Sequence, residues 1–182
     1  MVCVFIANGT EEIEALTPVD FLRRSGIEVV TVGVGGLTVK GAHDIAIGCD
    51  IAEKDLEPDD RLEAVILPGG MPGTLNLESS DAVNRAVDYC VENGKLICAI
   101  CAAPSILGHK GLLEGREACC FPGFEGELRG ANVSERFVCR DEQYITAKGM
   151  GSALSFSHAI VSALRDKKTA DRVRDSLQVS VD

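Results

Sequence analysis

The chain has 182 residues, 46% of them hydrophobic, and a formal net charge of −10. That length suits a single domain over 1–182 with a full core, and the acidic balance, uninterrupted by any sizeable Lys/Arg cluster, argues against nucleic acid as a partner. Aromatic residues make up only 4% and Trp is absent, so the core must be aliphatic, as in buried parallel strands covered by helices.

Residues 2–6 form a continuous apolar run and are expected to make a buried strand. Thr10 is placed to cap a following helix that starts with Glu11, Glu12 and Glu14, runs to about Arg24 and closes at Gly26, with a kink expected at Pro18. A second strand is expected over 27–34, then a small edge hairpin within 37–50 and a polar irregular stretch over 53–61. Residues 64–67 read as another buried strand ended by Pro68-Gly69-Gly70, and 81–93 as an amphipathic helix with Gly94 as its stop. The next buried strand is 96–100, and Cys101 opens the turn into a helix that stops near Gly111. Strands are expected at 117–121 and 137–140 around a glycine-rich loop, and the last core strand at 144–147. The turn Gly149-Met150-Gly151-Ser152 leads into a helix to about Leu164, and a polar helix follows.

This alternation implies a three-layer α/β architecture with a mostly parallel sheet. In such sheets ligands bind beyond the C-terminal strand ends, where three turns fall: Gly69-Gly70, Cys101 and Gly149–Gly151. No targeting segment is read in the opening residues, and the longest apolar stretch, 96–108, contains Pro104 and is shorter than the ~20 residues of a membrane span. A cytoplasmic location is expected. Cys3, Cys49, Cys90, Cys98, Cys101, Cys119, Cys120 and Cys139 are then expected to be reduced, most of them buried.

Cys101 follows Leu96-Ile97-Cys98-Ala99-Ile100 and precedes Ala102-Ala103-Pro104. A sharp strand-to-helix turn with small residues after it has the logic of a nucleophile elbow carrying a thiol, and a helix N-terminus favours the thiolate. Spacing alone leaves a second reading open, one more buried cysteine. Cys98, inside the strand, reads as core and not as half of a redox CxxC, and no second pair or histidine cluster supports a zinc site. Cys119 and Cys120 read as structural strand residues. Glycines at 69 and 70 can aim backbone N–H groups into the cleft as an oxyanion hole or anion nest, or make only a turn. Glu14 shares a helix face with Pro18, Phe21 and Leu22. Burial there would raise its pKa and let it donate a hydrogen bond to a thiolate, while its position also suits an ordinary acidic residue at a helix start. His43 falls in the edge hairpin, His109 after a helix end, and His158 mid-helix as a packing or surface residue. None neighbours Cys101 in sequence.

The stretches NGTEEIEALTPVDFLRRSGIEV, AVILPGGMPG, AICAAPSIL and TAKGMGSA, in this order, resemble the ThiJ/PfpI superfamily, most closely its parkinsonism-associated deglycase branch, over nearly the whole chain. The resemblance implies a flavodoxin-like, class I glutamine amidotransferase-like sandwich and a homodimer. It implies a nucleophilic, oxidation-prone Cys101 and a protonated Glu14 hydrogen-bonded to the thiolate, with Gly69, Gly70 and Ala102 supplying backbone groups around the sulfur. Neither cofactor nor metal is implied. The activities it implies are glutathione-independent glyoxalase, deglycation of early methylglyoxal adducts, redox-regulated chaperoning and oxidative-stress sensing.

Three departures bear on these expectations. Protease-like members carry a His directly after the nucleophile where this chain has Ala102, which weakens a cysteine amidase or peptidase reading. A His-Pro pair seen in some deglycase-branch pockets is Phe121-Pro122 here, and an Arg before the hairpin Asp is His43. The leading expectation is thus a cofactorless glyoxalase or deglycase acting on methylglyoxal, glyoxal or their early protein adducts. Redox sensing or chaperoning through the same cysteine is the alternative.

Overall fold

The aliphatic runs assemble into one seven-stranded sheet, and the computed structural model describes it within residues 1–179. In chain order the elements are β1 (Val2–Ala7), α1 (Glu12–Arg24), β2 (Val29–Val34), β3 (Thr38–Lys40), β4 (Ala46–Gly48), β5 (Ile51–Ala52), β6 (Ala64–Leu67), α2 (Gly73–Ser79), α3 (Asp81–Glu92), β7 (Leu96–Ile100), α4 (Pro104–His109), β8 (Glu117–Ala118), β9 (Asn132–Val133), β10 (Val138–Asp141), β11 (Tyr144–Ala147), α5 (Ala153–Leu164) and α6 (Lys167–Ser176). Strand order in the main sheet is β10-β11-β7-β6-β1-β2-β5. All neighbours pair in parallel except β10, which runs antiparallel to β11 at the edge. This is the mostly parallel α/β architecture that the strand–helix alternation implies, and the flavodoxin-like fold that the resemblance implies.

Alternate residues of each strand serve opposite faces, because side chains on a strand alternate by two. Val2, Val4 and Ile6 of β1 join Ile66, Cys98 and Ile100 in a core with Phe21 and Leu22 of α1 and Phe156 and Ile160 of α5. Cys3, Phe5 and Ala7 join Val65, Leu67, Ile97 and Ala99 in the second core, under Val83 and Val87 of α3 and Ile106 of α4. The sheet is apolar on both faces, which is why its strands read as continuous hydrophobic runs. Among the described residues, no helix is long and apolar enough to cross a membrane.

Several local expectations are corrected. Thr10 does not cap α1: its hydroxyl accepts the Ala7 amide at the end of β1, and Glu11 caps the helix by accepting the Glu14 amide at 2.7 Å. The second strand starts at Val29, and the helix after Cys101 starts only at Pro104. The 37–50 hairpin forms its own two-stranded sheet, β3 with β4. The strand expected over 117–121 is reduced to β8, so Cys119 and Cys120 lie just beyond it, both buried. Helix α2 was not expected from a segment opening on Pro72-Gly73. Its ordering comes from tertiary packing, with Leu77 fully buried in the second core.

Candidate active site

Sequence order turns back between β1 and β6: β2 and β5 lie to one side, while β7 and β11 lie beyond β6 on the other. Clefts form at the C-terminal strand ends beside such a switch. Three segments meet there: the start of α1, the Gly69-Gly70 turn after β6, and the Cys101 turn after β7.

Cys101 sits at φ 65°, a left-handed conformation that costs a side-chain-bearing residue roughly 1–2 kcal/mol. Backbone bonds hold it there. Its amide donates to the Ala147 carbonyl at 2.8 Å, and its carbonyl accepts the Phe121 amide at 2.8 Å. The side chain is thereby turned out of the strand and left half-buried. A strained residue fixed between a buried strand and a helix is the geometry of a nucleophile elbow.

Glu14 approaches from α1. Its carboxyl accepts the Gly69 amide at 3.0 Å, with the Cys101 thiol and the Met150 amide close enough to favour its ionised form. The residue is only 1% exposed. Burial pushes its pKa up to about 7, against the pull of those three groups. Burial and the neighbouring Glu14 charge likewise push the Cys101 thiol up to about 12, while the nearby Ala102 and Gly70 amides pull it down. Between those two values the pair holds one proton. Taken singly, the two values leave that proton on the sulfur; its transfer to the carboxyl would make the sulfur a thiolate facing two amides and an acidic O–H. Below the lower value both groups are protonated and nucleophilicity is lost.

Iodoacetamide labelling of the Cys101 peptide is therefore expected to accelerate as the pH is raised through about 7. A rise centred on the ordinary thiol value of about 8.5 would contradict the shared proton.

The five residues singled out from the sequence thus come together, with one reassignment. The Gly70 and Ala102 amides lie near enough to the sulfur to favour its thiolate, but the Gly69 amide is engaged by Glu14. The Met150 amide was missed as a partner of Glu14. Its only sequence signal was a glycine-bearing turn at a strand end, which marks a cleft without saying what lines it. A cavity of about 320 Å³ opens alongside, walled by Phe121, Pro122, Phe137 and the turn from Lys148 to Ser152.

Among the described residues, no imidazole serves Cys101. His43 Nδ1 pairs with Glu12 at 2.8 Å, His109 bridges Glu78 and Glu127, and His158 bonds Asp171 at 2.8 Å while its ring meets Phe21 edge-on. A cysteine–histidine dyad, the requirement of the peptidase reading, is not formed among the described residues. In the same described set, Glu11, Glu12 and His43 bring donor atoms within 4.8 Å of one another, an arrangement able to hold a metal ion. Those atoms already have partners. Glu11 caps α1, and although burial opposes ionisation of Glu12, the ring and amide of His43 outweigh it and hold that carboxyl below its usual range.

Comparison with known proteins identifies the family. The sequence profile of the DJ-1/PfpI family matches residues 1–163. The chain is 33% identical over 180 residues to protein dj-1beta of Drosophila melanogaster, covering 97% of this chain and 96% of that one. It is 32% identical over 155 residues to the glutathione-independent glyoxalase DJR-1.2 of Caenorhabditis elegans, covering 85% and 82%. A solved structure of oxidized Toxoplasma gondii DJ-1 superposes with a TM-score of 0.90 at 31% identity, over 98% of each chain.

Proposed function

Because the chain belongs to the DJ-1/PfpI family, we propose that it is a cofactorless glyoxalase or deglycase acting on methylglyoxal, glyoxal or their early protein adducts. The observation that carries this reading is the strained, half-buried Cys101 elbow set beside the buried Glu14 carboxyl, with both groups in reach of Gly69. The glyoxalase name of the nematode relative supports the substrate class.

In this reaction the Cys101 thiolate attacks the aldehyde carbon of methylglyoxal, and the Glu14 proton passes to the alkoxide as the hemithioacetal forms. The Glu14 carboxylate then takes the proton from the former aldehyde carbon and returns it to the neighbouring carbon, giving a hydroxyacyl thioester. Water cleaves the thioester, releasing lactate and the thiol. The sum is one dicarbonyl plus one water to one hydroxy acid. The Gly69 amide holds the base in place, and the Gly70 and Ala102 amides offset charge at the reacting end.

D-lactate formation from methylglyoxal is expected for the unsubstituted protein and lost in Cys101→Ala, a drop of at least ~100-fold if the thiol is the nucleophile. Equal rates in the two proteins would end the proposal.

Oxidative-stress sensing or redox-regulated chaperoning through the same sulfur is the second reading, favoured by the half-buried thiol beside two amides and an acidic O–H, groups that would also hold a sulfinate. We further propose that the protein works as a homodimer in the cytoplasm. The free state of all eight cysteines suits a reducing compartment. Exposed Leu16 of α1 and Leu154 of α5 line one groove, with exposed Ile13 on the same helix as Leu16. Sedimentation velocity is expected to give twice the monomer mass, and Leu16→Glu to reduce it. A monomer at micromolar concentration would overturn the assembly.

A further inference from the structure

Two buried thiols lie behind the elbow and take no part in the mechanism above. Cys119 is 0% exposed and Cys139 1%. Cys119 is fixed against Thr146 of β11: its amide donates to the Thr146 hydroxyl at 2.9 Å, its thiol donates to the Thr146 carbonyl at 3.4 Å, and the Thr146 hydroxyl lies 3.7 Å from its sulfur. The residue directly across the ladder from Thr146 is Cys139 of β10. Cross-strand partners present their side chains on the same face, so Thr146 and Cys139 both face the Cys119 sulfur. The neighbouring Cys139 adds to burial in opposing ionisation of the Cys119 thiol.

We propose that Cys119 and Cys139 form a second redox site, a dithiol that closes to a disulfide under peroxide, distinct from oxidation of Cys101. One sulfur attacks peroxide, an S–O bond forms as the O–O bond breaks, and one water leaves. The second sulfur then displaces the hydroxyl as a second water, and the S–S bond forms. Two thiols lose two hydrogens and two electrons, and peroxide accepts both.

The position gives the bond a consequence for the elbow. Thr146 precedes Ala147, whose carbonyl accepts the Cys101 amide, and Phe121, two residues beyond Cys119, donates its amide to the Cys101 carbonyl. A Cys119–Cys139 bond would tie the segment after β8 to edge strand β10, fixing the wall against which the elbow is held. Burial pushes the Cys119 thiol up to about 12, so closure is expected to be slower than reaction at Cys101 and to need transient opening of the edge.

The test uses the full chain carrying Cys101→Ala, exposed to hydrogen peroxide, then unfolded, alkylated and mapped by mass under non-reducing conditions. The expected result is a mass loss of two hydrogens, two fewer alkylatable thiols, and one linked peptide pair joining Cys119 to Cys139. The oxidised protein is expected to melt at a higher temperature, with dithiothreitol reversing the shift. Cys120→Ala should retain the link, since Cys120 is adjacent in sequence and outside the contact, whereas Cys139→Ala should abolish it. A link involving Cys120, oxygen added to Cys119 with no link, or a folded protein that keeps every thiol would each overturn the proposal. The unsubstituted chain, treated identically, guards against loss of fold in the variants.

Discussion

The stability difference between Glu14→Gln and the unsubstituted protein is expected to shift by roughly 2–3 kcal/mol between pH 4 and pH 8, in favour of the variant at the higher pH. The folded-state pKa of Glu14 is raised from 4.5 to about 7, chiefly because burial disfavours its charge. A carboxyl with a raised folded pKa binds its proton more tightly in the native state. Its favourable contribution is complete below the unfolded value and is lost as the pH rises through the folded one. The window is therefore about 4.5 to 7. Gln cannot ionise, so the variant lacks this loss whatever fixed offset the amide introduces against the Gly69 and Met150 donors. Urea unfolding at several pH values reads the effect as a slope, which removes that offset. A difference independent of pH would show that Glu14 ionises as an exposed carboxylate does, and the shared proton with Cys101 would go with it. The variant should also lose the inflection near pH 7 in Cys101 labelling, because no second group remains to hold the pair's proton.

What could be read in advance follows physical range. Strands β6, β7 and β11 match their expected bounds, because a strand buried on both faces must be apolar at every position. Cys101 was legible for the same reason: a thiol following such a run, with small residues after it, has few places to go except a tight turn. The helical face carrying Glu14 with Pro18, Phe21 and Leu22 was equally local, and all four are buried. The failures were contacts that no local pattern encodes. Glu11 displaced Thr10 as the cap because Thr10 found the Ala7 amide first. Gly69 serves Glu14, 55 positions away in the chain, and Met150 approaches the same carboxyl from the turn between β11 and α5. Helix α2 shows only a weak local signal and is ordered by what it covers. The pairing of Cys119 with Cys139 depends on the register of an edge strand, which composition does not set.

Gly69→Ala and Gly70→Ala should separate chemistry from folding, although the two glycines are adjacent. A Cβ at Gly69 would stand 2.6 Å from the Cys101 Cβ and 2.8 Å from Glu14 Oε2, so the atoms forced to move are those of the reacting pair. Overpacking of this kind costs typically ~1–3 kcal/mol, and the native φ of Gly69 adds no left-handed penalty. The Gly69→Ala protein is expected to fold, with Cys101 labelling and methylglyoxal turnover each down by at least ~10-fold, since a misplacement of ~1 Å at a catalytic group is enough for that loss. Gly70 differs on both counts. Its φ is 88°, and a Cβ there would meet the Glu11 nitrogen at 2.4 Å and the Gly9 carbonyl oxygen at 2.5 Å, backbone atoms that cannot swing aside. The left-handed penalty of ~1–2 kcal/mol adds to the overpacking cost, for a total of ~3 kcal/mol or more. Chemical denaturation should therefore rank Gly70→Ala well below Gly69→Ala in stability, while activity per folded molecule falls at both. If the Gly69→Ala protein kept full thiol reactivity, the contact among Gly69, Glu14 and Cys101 would not control the chemistry, and the proton-sharing pair would have to be positioned by other groups.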